Sequence, residues 1–322
     1  MSTHDFDLFV IGGGSGGVRA ARMAAGRGAR VALAEALGTD GLGGTCVNVG
    51  CIPKKLYSYA AHYHDAFEES RGFGWELDAA PTFNWSTLKA NRAKEISRLN
   101  GVYANLLRGA GVTQIDGFAR LVGDHDIELA TLNADGSPGH QTFTAKHILI
   151  ATGGTPHVPH FVGREHAITS NDIFDLEPFP QRLLVVGGGY IASEFASIFN
   201  GLGSHVTQLY RGEQILRGFD DEIRHFVAGE MRKAGVDVRL NADVVDIRKS
   251  ADGLRVECEG GGVVMADAVL YATGRVPNVK DLGLEAVGVA QGAQGEVIVD
   301  ANYRTNVPSV FAVGDVTNRV QL

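Results

Sequence analysis

Two cysteines five positions apart, Cys46 and Cys51, are the residues of this sequence whose type and spacing best suit chemistry. Five residues rise about 7.5 Å in a helix and about 17 Å in a strand, whereas the Cα atoms of a disulfide lie within about 7 Å. A bond between these cysteines would therefore need a bent backbone. Gly50 and Pro53 provide the means, since glycine adopts conformations that other residues avoid and proline interrupts helical hydrogen bonding.

The residues around the pair favour a thiolate. Residues 43–45 (Gly-Gly-Thr) predict a helix N-terminus, whose N–H groups and dipole stabilise negative charge, and Lys54 and Lys55 act in the same direction. This pattern is typical of a redox-active pair. A structural disulfide, a metal pair completed by His62 or His64, and two unrelated buried thiols are left open by these residues alone.

The composition limits the class of protein. The chain has 322 residues, enough for two domains and a fragment, with 44% hydrophobic residues, 20% charged residues and a net charge of −8. The negative charge argues against binding to nucleic acid or to a membrane surface, and no apolar run approaches the length of a membrane span. The acidic N-terminus leads straight into a strand, so we expect no signal peptide. Three cysteines fit a reducing cytoplasm.

A dinucleotide site is predicted near the N-terminus. The first glycine turn, residues 12–17, follows an apolar strand at 7–11 and opens a helix over 18–28. Its G-x-G-x-x-G spacing allows a tight turn, a close approach to pyrophosphate, and helix–strand packing. The next strand, 30–35, ends in Glu35, a carboxylate placed to accept hydrogen bonds from an adenosine ribose. A glycine-rich surface loop would not explain this acid.

The middle of the chain mixes helices and strands. Helices are predicted over 56–70 and 85–109, and an antiparallel meander over 112–147. A buried strand then enters a glycine turn at 153–154. The segment 156–180 holds four prolines and is predicted to be a linker.

The strand–glycine–helix pattern then repeats. A strand at 182–186 leads into the second glycine turn, residues 187–192, and the strand at 205–210 ends with Arg211 in place of an acid, with Arg217 close behind. A ribose 2′-hydroxyl calls for a carboxylate, whereas a 2′-phosphate calls for guanidinium groups. At about 1.5–3 kcal/mol for each charge-assisted bond, the pair favours NADP over NAD by about 10²–10⁴.

The sequence therefore predicts an α/β fold with two Rossmann-like nucleotide-binding domains, parallel sheets and antiparallel meanders, and the start of a third domain. The predicted boundaries are 1–155, 156–277 and 278–322. The last segment contains a buried strand that ends in Asp315, at the edge where such sheets meet their ligands.

Three stretches carry a family resemblance: GGTCVNVGCIPKK at 43–55, GGGYIASEFASIFNGLG at 187–203 and YRGEQILRGFD at 210–220. With them in this order, the chain resembles the pyridine nucleotide-disulfide oxidoreductases, notably the glutathione reductases of plants and bacteria. The resemblance covers the whole sequence. It implies FAD in the first domain, NADPH in the second, and an NADPH-dependent reduction of glutathione disulfide through a redox-active Cys46–Cys51 disulfide.

The resemblance also implies roles for individual residues. Cys51 corresponds to the thiol beside the flavin and Cys46 to the exposed thiol that attacks the substrate. Lys54 and Glu194 correspond to an ion pair beside the flavin, and Tyr190 to the ring that covers the nicotinamide pocket. The FAD contacts correspond to Gly12, Gly14, Ser15, Gly16, Gly17, Glu35, Gly44, Thr45, Lys54, Thr152, Gly153 and Asp315; the NADPH contacts to Gly187, Gly189, Tyr190, Ile191, Glu194, Arg211, Arg217 and Gly274; and the glutathione contacts to Arg22, Val102 and Tyr103.

Charge favours glutathione disulfide as the substrate. Arg19 and Arg22 would lie one helical turn apart near the substrate, and glutathione disulfide carries carboxylates, whereas trypanothione is cationic. Mercuric and dihydrolipoamide-type reductases share the cysteine motif, but the latter normally carry an acid at the end of the strand that precedes Arg211. Cys258 is expected to be a buried bystander.

The family also implies a longer protein. Its members continue into a dimerisation domain whose His-Pro supplies an acid–base group across a homodimer interface, and none of the eleven histidines here precedes a proline. We therefore expect this chain to lack that domain. The alternative is a nucleotide-binding fragment limited to the reductive half-reaction.

Overall fold

The computed structural model describes residues 4–77, 79, 81–132 and 138–319. Its helices and strands, in chain order, are β1 (Phe6–Ile11), α1 (Ser15–Ala25), β2 (Val31–Glu35), α2 (Gly44–Val49), α3 (Cys51–Arg71), α4 (Trp85–Gly109), β3 (Thr113–Asp116), β4 (Ala119–Leu121), β5 (Asp126–Leu132), β6 (Pro138–Ile150), β7 (Gly154–Pro156), β8 (Ala167–Ile168), β9 (Arg182–Val186), α5 (Tyr190–Gly201), β10 (His205–Tyr210), α6 (Asp221–Lys233), β11 (Asp237–Leu240), β12 (Val244–Ser250), β13 (Gly253–Cys258), β14 (Val263–Ala266), β15 (Ala268–Tyr271), β16 (Arg275–Pro277) and β17 (Val310–Ala312).

The chain divides into two compact units, and each is discontinuous in sequence. The first unit takes in Met1–Cys51, Lys94–Thr155 and Arg275–Leu322, and the second takes in Ile52–Ala93 and Pro156–Gly274. The three contiguous domains set out from the sequence stay a prediction.

The first unit is built on a seven-stranded sheet. Its order is β3-β2-β1-β6-β5-β4, with β17 also paired to β6. The long strand β6 joins two kinds of pairing, because its first half is antiparallel to β5 and its second half is parallel to β1 and β17. The antiparallel strands β4, β5 and β6 confirm part of the predicted meander. The prediction was wrong for β3, which pairs parallel with β2 at the sheet edge.

Both faces of this sheet are buried. Successive residues of a strand point to opposite faces, so β1 sends Phe9 to one core and Val10 to the other. Residues of α1 and α4 cover the Val10 side. Apolar residues between Leu282 and Val316 complete the Phe9 side, which means that the segment after β16 packs into the first unit.

The second unit contains a parallel sheet and a smaller antiparallel one. The parallel sheet has the order β11-β10-β9-β15-β8, and β12, β13 and β14 form the antiparallel sheet. Apolar residues of both sheets share a core that includes Leu184 and Val256. The predicted strands at 182–186 and 205–210 are confirmed as β9 and β10. Together the two units confirm the predicted α/β fold class.

An aromatic cluster joins α3 and the start of α4 to the rest of the second unit. The ring of Trp85 lies 5.3 Å from that of Phe179 and 5.7 Å from that of Phe199. Its Nε1 donates to the carbonyl oxygen of Leu176 at 2.8 Å, so the indole is both buried and paired. Tyr57 of α3 contacts Trp85 and donates to the carbonyl oxygen of Phe174.

No helix within the described ranges is long and apolar enough to cross a membrane.

Replacing Trp85 should destabilise the second unit strongly. Trp85 is 6% exposed and Trp75 is 70% exposed, which gives a matched pair of the same residue type. We expect Trp85→Ala to lower the free energy of unfolding by about 3–5 kcal/mol through cavity formation, and Trp75→Ala to change it by less than about 0.5 kcal/mol. Urea denaturation followed by circular dichroism measures both, and similar losses in the two variants would contradict this packing.

Candidate functional site

The two cysteines lie on consecutive helices separated by one glycine. Cys46 is in α2, Cys51 is the first residue of α3, and Gly50 between them has φ −143° and ψ −119°. A Cβ atom at Gly50 would lie 2.7 Å from the carbonyl oxygen of Thr45, so this break requires glycine. Pro53 has no N–H with which to continue the hydrogen bonding of α2 across this break. It lies in the first turn of α3, where backbone N–H groups have no partner within the helix.

The two thiols differ in exposure. Cys46 is half-buried within α2, whereas Cys51 is exposed at the start of α3, and the structure holds both as thiols. This differs from the expectation that Cys46 is the exposed thiol. Which thiol attacks the substrate stays a prediction.

Two asparagines that the sequence analysis did not single out hold the start of α2. Asn48 donates from Nδ2 to the carbonyl oxygens of Gly44 at 3.0 Å and Gly41 at 3.2 Å. Asn100 of α4 donates to the carbonyl oxygen of Leu42 at 2.7 Å and to Asn48 Oδ1 at 2.9 Å. Asn48 has poor helix propensity and lies between two valines. A polar residue in that place was the one feature of the sequence that could have indicated its bonding role.

The first glycine turn has the close contacts that its spacing predicts. Gly12 has φ +108°, and a Cβ at Gly17 would lie 1.9 Å from the carbonyl oxygen of Gly12. Gly14 is the N-cap of α1 and offers no side chain to its first turn. The N–H groups of Ser15 and Gly16 therefore belong to a helix N-terminus that suits a phosphate group.

Glu35 has a structural role in addition to its predicted contact with a ribose. Its Oε2 accepts from the N–H of Gly13 at 2.7 Å, and its Oε1 accepts from the N–H of Leu37 at 3.3 Å. A Cβ at Gly13 would lie 3.0 Å from Oε2. The carboxylate thus supports the glycine turn from the end of β2.

Gly44 and Thr45, also predicted to bind FAD, are the first two residues of α2, and three further predicted FAD residues follow strands at the edge of the sheet. Thr152 and Gly153 follow β6, and Asp315 follows β17, which runs parallel to β6. A cavity of about 820 Å³ opens beyond β2, lined by residues 36–40 and by Asp116, Gly117, Phe118 and Ala130. The N–H groups at the start of α1 suit the diphosphate of FAD, the Glu35 carboxylate suits its ribose, and the cavity beyond β2 suits its adenine.

The second glycine turn has the same geometry. Gly187 has φ +141°, and a Cβ there would lie 2.3 Å from the carbonyl oxygen of Ala272. Gly189 is the N-cap of α5 without a capping side chain, Tyr190 and Ile191 begin that helix, and Gly274 follows β15. These residues fit a second dinucleotide.

The arginine loop, residues 211–219, folds back onto this turn. The N–H of Leu216 donates to the carbonyl oxygen of Gly188 at 2.6 Å. The ring of Tyr210 covers Gly188, where a Cβ would lie 2.4 Å from it. Arg211 and Arg217 are both exposed on this loop.

Lys54 and Glu194 form an ion pair in the second unit. Nζ of Lys54, in the first turn of α3, lies 2.7 Å from Oε1 of Glu194 in α5, and both groups are partly exposed. The carboxylate of Glu194 can thus hold the ammonium group of Lys54 in a fixed position. The predicted position of the pair beside the flavin stays a prediction.

The residues predicted to contact glutathione lie on two helices of the first unit. Arg22 is exposed in the last turn of α1, Val102 is exposed on α4, and Tyr103 packs against the core behind β1. Their role in substrate binding stays a prediction.

Cys258 lies in the second unit, at the end of β13. Its side chain is 8% exposed in the core of the second unit, and burial raises the pKa of this thiol. No group of three or more His, Cys, Asp or Glu side chains suited to a metal ion occurs in the part of the chain that the structure describes.

Known proteins match this chain along its whole length. A family model described as pyridine nucleotide-disulphide oxidoreductase matches residues 6–322. A glutathione reductase from Burkholderia cepacia is 48% identical over all of this chain and 69% of its own length. A chloroplastic/mitochondrial glutathione reductase from Pisum sativum is 47% identical over 99% of this chain and 58% of its own length.

A further relative and a solved structure also match this chain. A trypanothione reductase from Leishmania donovani is 42% identical over 98% of this chain and 67% of its own length. Among solved structures, the Cu(II) complex of the HOCl-induced flavoprotein disulfide reductase RclA from Escherichia coli matches with a TM-score of 0.87 and 29% identity. That match covers all of this chain and 68% of RclA. The chain thus spans between about six and seven tenths of the length of these proteins.

Cys51 and Cys258 should differ in their rate of reaction with iodoacetamide. We expect Cys51 of the reduced, folded chain to be alkylated at least about tenfold faster than Cys258 at neutral pH, because Cys258 is buried and its raised pKa disfavours the thiolate. Peptide mass spectrometry after timed labelling measures the rates. In urea the difference should disappear, and equal rates in the folded chain would contradict the burial of Cys258.

Asn100 should be important for the stability of the cysteine helix. Asn100→Ala would leave the carbonyl oxygen of Leu42 and Oδ1 of Asn48 without this donor, at a cost of about 1–3 kcal/mol in the free energy of unfolding. Asn105→Ala, at an exposed position of the same helix, is the matched control and should cost less than about 0.5 kcal/mol. Urea denaturation tests this difference, and equal effects would refute it.

Proposed function

The chain belongs to the pyridine nucleotide-disulphide oxidoreductase family, and we propose that it carries the electron-transfer half of an NADPH-dependent glutathione-disulfide reductase. One observation carries the proposal: the helix with Cys46 begins on a backbone hydrogen bond to the first glycine turn, from Gly43 N–H to Gly13 O at 2.8 Å. The helix that carries Cys46 and the glycine turn are thereby joined directly through the backbone.

The cofactors proposed are those that members of this family use, FAD and NADPH. In the first unit, the N-terminus of α1, Glu35, Thr45 and Asp315 would hold FAD. In the second, the N-terminus of α5 would hold the pyrophosphate of NADPH, and Arg211 and Arg217 its 2′-phosphate. Bound FAD supplies a carrier of two electrons between NADPH and a disulfide.

The thiols perform an exchange reaction in this proposal. The Cys46 thiolate attacks one sulfur of glutathione disulfide, forms a mixed disulfide and releases the first glutathione thiolate, which takes up a proton. The Cys51 thiolate then attacks Sγ of Cys46, releases the second glutathione, and closes a Cys46–Cys51 disulfide. The two electrons and one proton of the NADPH hydride, with a second proton from solvent, return this disulfide to two thiols, and NADP⁺ is the other product.

Charge supports glutathione disulfide over a cationic disulfide. Arg19 and Arg22 are exposed three residues apart on α1, where they would attract carboxylates and repel positive groups. Trypanothione disulfide is the second candidate because a trypanothione reductase is among the relatives. A homodimer in a longer form of the protein and a cytoplasmic location complete the proposal, the latter supported by the sparse use of cysteine.

Serine variants test the assignment. The chain is loaded with FAD, and NADPH consumption is followed with glutathione disulfide or with trypanothione disulfide. Cys46→Ser and Cys51→Ser should each lose disulfide reduction, because a single thiol cannot complete the exchange, whereas the control Cys258→Ala should retain it. A Cys46→Ser variant that still consumes NADPH with glutathione disulfide would refute the mechanism. Faster NADPH consumption by the unmodified chain with trypanothione disulfide would assign that disulfide as the substrate instead.

Mass spectrometry distinguishes the roles of the two thiols. Pre-reduced Cys51→Ser should trap glutathione on Cys46 at least about tenfold faster than Cys46→Ser traps it on Cys51. The opposite order would assign the attack to Cys51, the thiol that is more exposed in the structure.

A further inference from the structure

We propose that Arg224 is a positioning residue for NADPH, which fixes the backbone of the arginine loop so that Arg211 and Arg217 can bind the 2′-phosphate. Arg224 is on α6, outside every sequence motif singled out above. The inference rests on the proposed use of NADPH and adds to it a residue that does not itself touch the nucleotide.

The contacts of Arg224 are directed at the loop backbone. Its Nε donates to the carbonyl oxygen of Ile215 at 2.9 Å, and its Nη2 donates to that of Gln214 at 3.0 Å. Its Nη1 donates to Asp221 Oδ1 at 2.6 Å. The side chain is 19% exposed, so these bonds are largely shielded from water. Two N–H groups of a planar fork thus bind two consecutive carbonyl oxygens, which the ammonium group of a lysine cannot reproduce.

The loop needs this support because its backbone is strained at the next residue. Leu216 has φ +57°, a left-handed conformation that is unfavourable for leucine, and Gly218 has φ +95°. Such a conformation persists where the surroundings impose it. Here the carbonyl oxygen of Gly188 holds the N–H of Leu216 on one side, and Arg224 holds the two preceding carbonyl groups on the other.

This conformation of the loop leaves the side chain of Arg217 exposed. Arg217 lies between the strained Leu216 and Gly218. The buried side chains of Ile215 and Leu216 anchor the loop, so the direction of Arg217 depends on the backbone at 214–216. Loss of Arg224 would free that backbone and misalign the guanidinium groups without removing them.

A charge effect must be separated from a positional one. Asp220 caps α6 by accepting from the N–H groups of Glu222 and Ile223, and Asp221 pairs with Arg224. Removing Arg224 would leave Asp221 unneutralised near the loop and could weaken anion binding by repulsion. Arg224→Lys keeps the positive charge and loses the fork, so it separates the two effects.

Calorimetric binding of adenosine 2′,5′-bisphosphate and of 5′-AMP to the full chain tests the proposal and requires neither FAD nor turnover. The dissociation constant of 5′-AMP divided by that of the bisphosphate isolates the contribution of the 2′-phosphate. Arg224→Met and Arg224→Lys should each lower this ratio by about tenfold, the value of one misaligned charge-assisted bond, with 5′-AMP affinity unchanged. The control Arg232→Met removes a guanidinium from the same helix, one that binds the carbonyl oxygen of Val238, and should leave the ratio unchanged.

A second background shows whether Arg224 acts through the two arginines. In the Arg211→Ala, Arg217→Ala chain, adding Arg224→Met should have no further effect on the ratio. Three results would overturn the inference while leaving the preference for NADPH intact. They are a wild-type ratio in Arg224→Met, a wild-type ratio in Arg224→Lys, and a further fall of the ratio when Arg224→Met is added to the double-alanine chain. A wild-type chain with no preference for the 2′-phosphate would overturn both.

Discussion

A backbone contact between two glycine segments governs the geometry of the first unit. The N–H of Gly43 donates to the carbonyl oxygen of Gly13, and a Cβ at Gly44 would lie 2.7 Å from the Cα of Gly14. A side chain at Gly44 would push the segments apart. Because Gly44 has none, α2 begins directly on the turn that opens α1, and Cys46 is held close to the predicted FAD site.

Polar side chains fix the backbone of the glycine turns and of the start of α2 through hydrogen bonds. In the first unit, Glu35 supports the glycine turn through the N–H of Gly13, and Asn100 supports the start of α2 through the carbonyl oxygen of Leu42. In the second unit, Gln208 is fully buried and donates to the carbonyl oxygen of Gly187 at 2.9 Å. Each side chain holds a backbone group of a segment that cannot form regular secondary structure, which is how a loop keeps one conformation.

The second unit positions its ion pair through aromatic packing. The ring of Phe195, the neighbour of Glu194 on α5, lies 5.4 Å from that of Phe174, which in turn contacts Tyr57 one turn beyond Lys54 on α3. Edge contacts of this kind restrict how the two helices can slide. The 2.7 Å separation of Lys54 and Glu194 is thus held by buried neighbours, although the pair itself is partly exposed.

Several local elements of this protein are legible in its sequence. The bounds of α4, β9 and β10 and both glycine turns could be predicted, because apolar periodicity and glycine spacing are properties of short segments. The bend between the cysteines was predictable for the same reason, since it depends on Gly50. Local patterns did not show that β3 pairs parallel with β2 or that the segment after β16 packs on the first sheet. They also did not show that Asn100 donates to the carbonyl oxygen of Leu42, or that Arg224 donates to those of Gln214 and Ile215. Pairing and packing of this kind depend on which distant surfaces cover each other, and a local pattern of residues does not encode that choice.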